Sequence, residues 1–374
     1  MSRLFSLVSL AAVLVAPTIM ATAAAAADVK GLTESGKPEL KSAGPLAFGP
    51  KGVLFVGDPL GAAIFAIGVG EAPKAALGDG FKLEGVDGKV AALLGTTAAD
   101  LAINDVAIEP GTGIAYLSVS RGNGPDAQPA ICRVDGAGQV TSLPLDKVAY
   151  AKVALANAPN AEQKDRKGRS LRTEAITDLA FVDGKVYIAG LSNEEFASKL
   201  RAIEFPFKSA DAGTSVEIIH TAHGAALETR SPVRTFVPFI VGGEPQLLAA
   251  YTCTPLVTFP LSSLKPGEKI RGKTVAELGN GNQPLDMIVY EKNGKQYLLL
   301  ANSKRGVMKI STDTIDKQPA LTEAVRDGKT AGLTYETIAQ LEDVAQLDKL
   351  SDKLAVVLIG KVGGPYNLQT VALP

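Results

Sequence analysis

Residues 284–310 of the chain, PLDMIVYEKNGKQYLLLANSKRGVMKI, contain the pattern that decides the fold. Two apolar runs flank the turn Lys292-Asn293-Gly294-Lys295, and a polar elbow and a third short apolar run follow. Asn293-Gly294 between two β-prone runs is a strong hairpin signal, because Asn and Gly tolerate the positive φ angles of a two-residue turn. The stretch therefore predicts three strands of an antiparallel meander.

Variants of this unit recur along the chain. Their first strands are predicted to begin near residues 46, 106, 179, 233, 287 and 344. Units of three or four strands repeating at about 50 to 75 residues are typical of a β-propeller. We therefore predict an all-β fold, a β-propeller with six blades. The long intervals 48–103 and 135–175 leave room for a seventh blade, and residues 312–337 are predicted to hold a short helix or an outer strand.

A two-sheet sandwich is the alternative fold. The repeat, however, carries more than alternating hydrophobicity, since the motif Asp-(Val/Leu)-Ala occurs at Asp105, Asp178 and Asp343, and Leu285-Asp286-Met287 varies it. The unit near residue 46, Leu46-Ala47-Phe48, keeps the apolar part without the acid. A small motif at equivalent places in successive units favours the propeller over an aperiodic sandwich.

The first 27 residues have the features of a cleavable signal peptide. Arg3 precedes a largely apolar segment, and small residues precede Asp28. We therefore expect three parts: a signal peptide at 1–27, an exposed lead-in at 28–43 and a single propeller domain at 44–374. The mature protein is expected to be periplasmic or secreted, without a membrane span.

Composition excludes several classes of function. The net charge of −1 gives no basis for binding nucleic acid. Tryptophan is absent and aromatic residues are 5% of the chain, which argues against a cleft that stacks sugars. No CxxCH motif is present for haem attachment. No Walker A loop occurs either, so a nucleotide cofactor is not expected. We expect a small molecule or a protein as the partner.

Cysteine and histidine are scarce. Cys132 and Cys253 are free to pair in an oxidising compartment or to stay separate thiols, and the sequence favours neither outcome. The only two histidines, His220 and His223, exclude a site of three histidines. Their spacing suits one metal if the segment turns helically, with Glu228 following, whereas a continuous strand would send them to opposite faces.

A propeller brings two sets of polar residues to one face. The start of each first strand and the end of the antiparallel second strand meet at the same end of the blade. The first set is the acids of the first strands, with Arg234 in the divergent fourth unit. The second set is the elbows after the second strands. The first set comprises Asp105, Asp178, Asp286 and Asp343; the second comprises Asp58, Arg121, Asn193, Cys253, Asn302 and Arg305.

The ring of acids has two interpretations. Asp105, Asp178 and Asp286 are candidate ligands for Ca²⁺ or another divalent cation, because such ions take oxygen ligands in flexible geometry. An aspartate at a strand start also commonly accepts backbone N–H groups, which would fix one blade to the next. The sequence leaves both roles open, together with a general acid or base whose pKa is raised by a neighbouring carboxylate.

Four residues are candidates for ligand binding. Arg121, Arg234 and Arg305 would place guanidinium groups on the acidic face, where they would bind an anion or neutralise the acids. Asn282 lies in the polar loop 280–284, before a first strand. The loop 230–234 has the same position in the fourth unit. Both are expected to contact a ligand.

The repeat resembles the secreted propellers grouped with the NHL, YVTN and gluconolactonase-type proteins. The resemblance covers most of the mature chain and implies a propeller that binds a small ligand, a cation or a partner protein at its channel mouth, without catalysis. The gluconolactonase type implies instead a metal-assisted hydrolase, with Asp105, Asp178, Asn282 and Asp286 around the cation, although the expected glutamate of the first blade is missing. A resemblance to the propeller subunits of periplasmic quinoprotein dehydrogenases implies a supporting subunit of a redox enzyme.

Overall fold

The computed structural model describes residues 29–374 except 71, 73, 74, 166 and 362, and these residues form six β-sheets arranged around a channel. The signal peptide predicted at 1–27 lies outside the described residues. Within the described part of the chain, no helix is long and apolar enough to cross a membrane.

The strands are short and follow one another closely. In the first half of the chain they are β1 (Glu34–Gly36), β2 (Leu46–Phe48), β3 (Val53–Asp58), β4 (Ala63–Gly68), β5 (Lys82–Leu83), β6 (Leu101–Glu109), β7 (Ile114–Arg121), β8 (Gln128–Val134), β9 (Val140–Ser142), β10 (Val148–Ala154), β11 (Asp178–Val182), β12 (Lys185–Leu191), β13 (Ser198–Glu204) and β14 (Thr214–His220).

The second half has the same character. Its strands are β15 (Ala226–Glu228), β16 (Thr235–Val241), β17 (Glu244–Ala250), β18 (Pro255–Pro260), β19 (Lys269–Arg271), β20 (Lys273–Glu277), β21 (Pro284–Lys292), β22 (Lys295–Asn302), β23 (Gly306–Ser311), β24 (Ala331–Gly332), β25 (Tyr335–Ile338), β26 (Val344–Lys349), β27 (Leu354–Ile359) and β28 (Asn367–Ala372).

Helix is rare in the described residues. The α-helix α1 spans Val86–Leu94, and the 3₁₀ turns are Pro50–Gly52, Ala98–Asp100, Gly124–Asp126, Leu171–Glu174, Thr221–His223 and Leu261–Ser263.

Each sheet is one blade, numbered here by the chain order of its innermost strand. Blade 1 contains β2, β3, β4, β10 and β1, and blade 2 contains β6–β9. Blade 3 contains β11–β15, with β19 parallel to β14. Blade 4 contains β16, β17, β18, β20 and β24; blade 5 contains β21, β22, β23 and β25; blade 6 contains β26, β27, β28 and β5.

The order of the blades around the ring differs from their order in the chain. Packing of the innermost strands gives the ring order 2, 1, 3, 4, 5, 6, closing from blade 6 back to blade 2. After completing three strands of blade 1, the chain adds β5 to blade 6, builds blade 2, and only then returns with β10 to complete blade 1. The strands before and after blade 2 in the chain therefore belong to its two neighbours in the ring, β5 to blade 6 and β10 to blade 1.

The blades are apolar on both faces because each packs between two neighbours. Strand β7 shows the consequence of the two-residue period of a strand. Its Ile114 and Tyr116 pack toward blade 1, whereas Ala115, Leu117 and Val119 pack toward blade 6. A strand buried on both faces appears in the sequence as a continuous apolar run, which is the pattern of the repeating unit.

The structure confirms the six-bladed propeller. The innermost strands begin at residues 46, 101, 178, 235, 284 and 344. The interval 48–103 contains β5 and α1 rather than a further blade, and the outer strand expected within 312–337 is β25. Within 28–43, predicted to be an exposed lead-in, β1 pairs with β10 at the outer edge of blade 1, and its Glu34 and Ser35 are exposed.

The hairpin between β21 and β22 has the predicted turn. Asn293 and Gly294 have φ angles of 55° and 72°, so both occupy the left-handed region that a two-residue hairpin of this kind requires.

Substitution of Gly294 by alanine should lower the free energy of unfolding by about 1 kcal/mol, because an L-residue with a Cβ is disfavoured in the left-handed region. Gly78→Ala is the matched control, since Gly78 does not have a positive φ and an added Cβ there would contact nothing within 4 Å. Urea unfolding measures both variants. Equal stability of Gly294→Ala and the control would contradict the assigned turn.

Candidate functional site

Two neighbouring spaces lie along the innermost strands. The first, called the channel here, has a volume of about 360 Å³ and contains Asp105, Asp178, Asp286 and Asp348 in its wall. The second, called the mouth cavity, has a volume of about 500 Å³ and is lined by residues before or at the start of the innermost strands and by the elbows after the second strands of blades 1 and 2. Asn104 and Leu285 line the mouth cavity, and the next residues, Asp105 and Asp286, line the channel. The aspartates therefore lie at the boundary.

Three aspartates occupy alternate blades of the ring. Each carboxylate accepts one N–H from the following residue of its own strand and one from the innermost strand of the next blade. The second bonds are from Leu46 N to Asp105 Oδ2 (2.7 Å), from Phe236 N to Asp178 Oδ2 (2.7 Å) and from Leu347 N to Asp286 Oδ2 (2.8 Å). These are the backbone hydrogen bonds expected of an aspartate that fixes one blade to the next.

Blade 6 departs from the motif. Asp343, predicted to be its channel acid, is exposed in the loop before β26 and pairs with Lys361 at 3.2 Å. A β-bulge between Val344 and Gln346 matches the bulges before Asp105 and Asp286 and places Gln346 at the equivalent position. The expectation for Asp343 was wrong because the Asp-Val-Ala sequence of blade 6 begins three residues before the channel position, which Gln346 occupies.

Gln346 joins two of the carboxylates. With its amide oriented to satisfy hydrogen bonding, its nitrogen lies 2.9 Å from Asp286 Oδ2 and 3.1 Å from Asp105 Oδ1. Two residues further along β26, Asp348 Oδ2 accepts the N–H of Ile108 from blade 2 at 2.7 Å. Sequence analysis did not single out Gln346 or Asp348, because neither belongs to the repeated motif.

All four channel carboxylates have raised pKa values. Burial is the main cause at each, and it raises the pKa of Asp178 to about 7 and that of Asp348 to about 6, against the hydrogen bonds from backbone N–H groups. Burial and the neighbouring carboxylates raise the pKa values of Asp105 and Asp286 well above the ordinary range. The channel acids therefore retain protons at a pH where exposed aspartates are ionised.

The predicted cation ligands line one channel but do not form a compact set. Among the described residues, the group of three His, Cys, Asp or Glu whose ligand atoms all lie within 4.8 Å of one another is His220, His223 and Glu228. Asp105, Asp178 and Asp286 are not such a group, and their oxygens already accept backbone N–H groups. Binding of Ca²⁺ or another divalent cation by these acids stays a prediction.

The mouth cavity combines apolar walls with uncharged polar groups. Its apolar lining includes Pro45, Leu60 and Leu285, and its polar lining includes the side chains of Ser42, Asn104, Ser120, Thr173, Thr177, Gln283 and Gln346. No Phe, Tyr or Trp lines it among the described residues. A ligand there would meet amide and hydroxyl groups rather than an aromatic platform.

One ion pair supplies the charge in the mouth cavity. Arg234 Nη1 donates to Glu174 Oε2 at 2.6 Å, and Arg234 Nε donates to Thr252 Oγ1 at 3.2 Å. Both charged side chains keep some access to the cavity, with 19% and 18% of their surfaces exposed. The pair is balanced in charge, so the cavity offers a donor fork and a carboxylate side by side.

The other three predicted ligand-binding residues lie outside the lining of the mouth cavity. Arg121 is exposed and donates to the carbonyl of Leu94. Arg305 donates to the carbonyl of Asn280. Asn282 is buried and bonds to Asn302 and to backbone carbonyls. Of the four candidates, the structure brings only Arg234 to the mouth cavity.

The cysteines and histidines are also placed. Cys132 and Cys253 are both free thiols, in blades 2 and 4, so the structure does not form the disulfide that the sequence left open. Burial raises the pKa of Cys132 to about 11.

Strand β14 ends at His220, and the 3₁₀ turn Thr221–His223 follows, so the helical alternative for this segment is confirmed.

Sequence reasoning missed Glu174 and Asn104 as lining residues of the mouth cavity, whereas Gln283 belongs to the loop 280–284 that was expected to contact a ligand. Each lies in a loop before an innermost strand or near the start of one, as Arg234 does. A polar residue just before a first strand is therefore the sequence feature that identifies the mouth lining. The sequence analysis used this feature in only two of the six units, the fourth and the fifth.

Comparison with known proteins adds little to the site. No protein-family model matches the chain, and no curated protein matches it. Among solved structures, the PQQ-bound form of aldose sugar dehydrogenase from Streptomyces coelicolor is similar over 91% of this chain and 97% of that chain, with 13% identity and a TM-score of 0.29. The propeller assignment therefore depends on the six sheets themselves.

The raised pKa values predict that stability falls as pH rises from 5 to 8. In this range the unfolded aspartates, with an ordinary pKa of 3.8, have lost their protons, whereas folded Asp178 and Asp348 hold theirs until about pH 7 and 6. The folded state then binds more protons than the unfolded state, so the free energy of unfolding decreases with pH. Urea unfolding at several pH values measures the slope.

Asp178→Asn should flatten part of that slope, because the amide does not titrate, while lowering stability through the loss of one acceptor. Asp79→Asn, at an exposed turn, is the control and should keep the slope of the wild-type protein. Stability that rises between pH 5 and 8, or an unchanged slope in Asp178→Asn, would be inconsistent with protonated channel acids.

Proposed function

We propose that this protein is an exported, non-catalytic propeller that binds a small zwitterionic ligand, a short peptide or an amino-acid derivative, in the mouth cavity. The observation that carries the proposal is the partly exposed Arg234–Glu174 pair among uncharged amide and hydroxyl groups. Kinship with the NHL, YVTN and gluconolactonase-type propellers is part of the same proposal. The expected signal peptide supports its exported location.

The chemistry of the lining supports this class of ligand. A guanidinium binds a carboxylate through two parallel hydrogen bonds, and a carboxylate binds an ammonium group. The carboxylate of a zwitterion can therefore bind Arg234 while its ammonium group binds Glu174, so that neither buried charge is left unpaired. The side-chain amides of Asn104 and Gln283 can both donate to and accept from peptide groups. The apolar walls at Pro45, Leu60 and Leu285 suit an aliphatic side chain.

The size of the cavity supports it as well. A volume of about 500 Å³ lies within the range of roughly 300–1,000 Å³ typical of small-molecule sites. Without aromatic rings in the described lining, a sugar would lack the face on which it usually stacks. A compact ligand bearing amides and opposite charges uses more of the groups that are present.

The tripeptide Ala-Leu-Ala is the probe we would use first. Isothermal titration and ligand-observed NMR should detect one site per chain, and the peptide acetylated at its amino end and amidated at its carboxyl end should bind at least about tenfold more weakly, because each charged contact is worth more than about 1 kcal/mol. Equal binding of the capped peptide would overturn the zwitterionic class. No binding at millimolar concentration would overturn the proposal.

Variants locate the binding in the mouth cavity. Arg234→Met should weaken binding of Ala-Leu-Ala at least about tenfold by removing the donor fork. Arg305→Met is the matched control, since Arg305 is outside the lining of the mouth cavity, and it should bind the peptide like the wild-type protein. Loss of binding in both variants, or in neither, would contradict the assigned position.

A further inference from the structure

The geometry points to a mononuclear site for a divalent transition metal, with Zn²⁺ as the metal that fits best, formed by His220, His223 and Glu228 at the outer part of blade 3. This site is separate from the mouth cavity and does not depend on the proposed ligand. Its three ligand atoms lie within 4.8 Å of one another.

The local backbone explains how the three residues meet. The 3₁₀ turn Thr221–His223 ends β14 and places residues three apart on one side, because side chains at i and i+3 eclipse in this conformation. The imidazole centroids are 3.8 Å apart and the rings are inclined by 33°. Strand β15 then pairs with β14 and brings Glu228 back beside both rings.

The ligand atoms face one another across a short gap. His220 Nδ1 lies 2.9 Å from Glu228 Oε2, and His223 Nδ1 lies 2.6 Å from Glu228 Oε1. Around a tetrahedral zinc with bonds of about 2.0–2.1 Å, ligand atoms are roughly 3.3 Å apart. Binding therefore needs these groups to separate by roughly half an ångström. The exposed His223 turn can make that movement, since 48% of the His223 side chain is accessible.

His220 is the strongest sign of an absent partner. Its side chain is 1% exposed, and neither ring nitrogen makes a hydrogen bond with the described residues, since Nδ1 is near Glu228 but outside hydrogen-bond geometry. A buried imidazole without a partner is costly. A metal bound at Nδ1 would give that nitrogen a partner, with the ring proton on Nε2.

The surroundings favour a bound cation. The Ser231 hydroxyl donates to Glu228 Oε2 at 2.7 Å and holds this carboxylate beside both imidazole rings. Glu277, buried beside Thr221, adds a second carboxyl group near His220. Carboxyl groups behind metal-bound histidines commonly orient the ring.

The ligand types identify the class of metal. Two imidazole nitrogens and one carboxylate suit Zn²⁺, and also Cu²⁺ at higher affinity, better than the all-oxygen sites of Ca²⁺ and Mg²⁺. Three protein ligands leave a fourth position open. The exposed side of His223 gives solvent access to the site, so a water molecule would complete the coordination.

Metal binding is tested on the full mature chain carrying a purification tag without histidine. The chain has two histidines, so imidazole coordination can come only from this cluster. After chelation and dialysis against ZnSO₄, elemental analysis should find one zinc per chain. Copper added instead should give an electron paramagnetic resonance spectrum with coupling to two imidazole nitrogens. No bound metal, or copper without imidazole coupling, would overturn the site.

Variants separate this site from the channel acids. His223→Ala and Glu228→Gln should each weaken zinc binding by about 100-fold or more, because loss of a direct ligand exceeds the 10- to 100-fold effect of an outer-shell partner. Glu195→Gln, at an exposed position of the same blade, and Arg234→Met should keep full metal content. Circular dichroism checks that the variants are folded. Zinc retained by both His223→Ala and Glu228→Gln would place the metal elsewhere and overturn the proposal.

Discussion

A carboxylate that accepts one N–H from its own strand and one from the neighbouring strand joins the blades at four of the six junctions, through Asp105, Asp178, Asp286 and Asp348. The innermost strand of a blade is an edge strand, so part of its backbone has no partner within its sheet. Backbone N–H groups left unpaired inside a protein are costly. The aspartates satisfy these groups and cover the edges that would otherwise pair with another strand.

This solution places several acidic groups in one narrow channel. The alternation of blades reduces the repulsion, because Pro45 and Thr235 stand where the intervening blades would carry another acid, and Gln346 donates to two carboxylates. The raised pKa values of the four acids lower the remaining charge further. The mouth cavity, by contrast, holds a balanced ion pair and neutral groups. The channel acids therefore join the blades, whereas the polar groups of the mouth cavity remain accessible to a ligand.

The sequence predicted the parts of the fold that depend on local pattern. Apolar runs separated by turns gave the six blades, and Asn293-Gly294 gave the hairpin, because these signals depend on a few adjacent residues. The repeated acid at Asp105, Asp178 and Asp286 predicted their common face. The same logic failed at Asp343, since the motif there begins in the loop before β26, three residues ahead of the channel position that Gln346 occupies. Most of the mouth lining was missed because loop residues carry no period.

Long-range features were not encoded in any local pattern. The ring order of blades 1 and 2 depends on which edges β5 and β10 find, and either strand is too short to show its partner in sequence. The approach of Glu228 to the two histidines depends on the pairing of β14 with β15. The apolar run Val216–Ile219 suggested a strand that continues through both histidines. The strand instead ends at His220, where the 3₁₀ turn Thr221–His223 begins.

The pairing of β5 with the last strand of blade 6 has a consequence for how the chain folds during synthesis. Strand β5 lies near the start of the chain, yet its partner β28 is the last strand, and Gly85 N donates to Asn367 across 282 positions. A ribosome must therefore deliver the chain as far as β28 before the ring can close. Until then the early blades have open flanks, which a chaperone can hold.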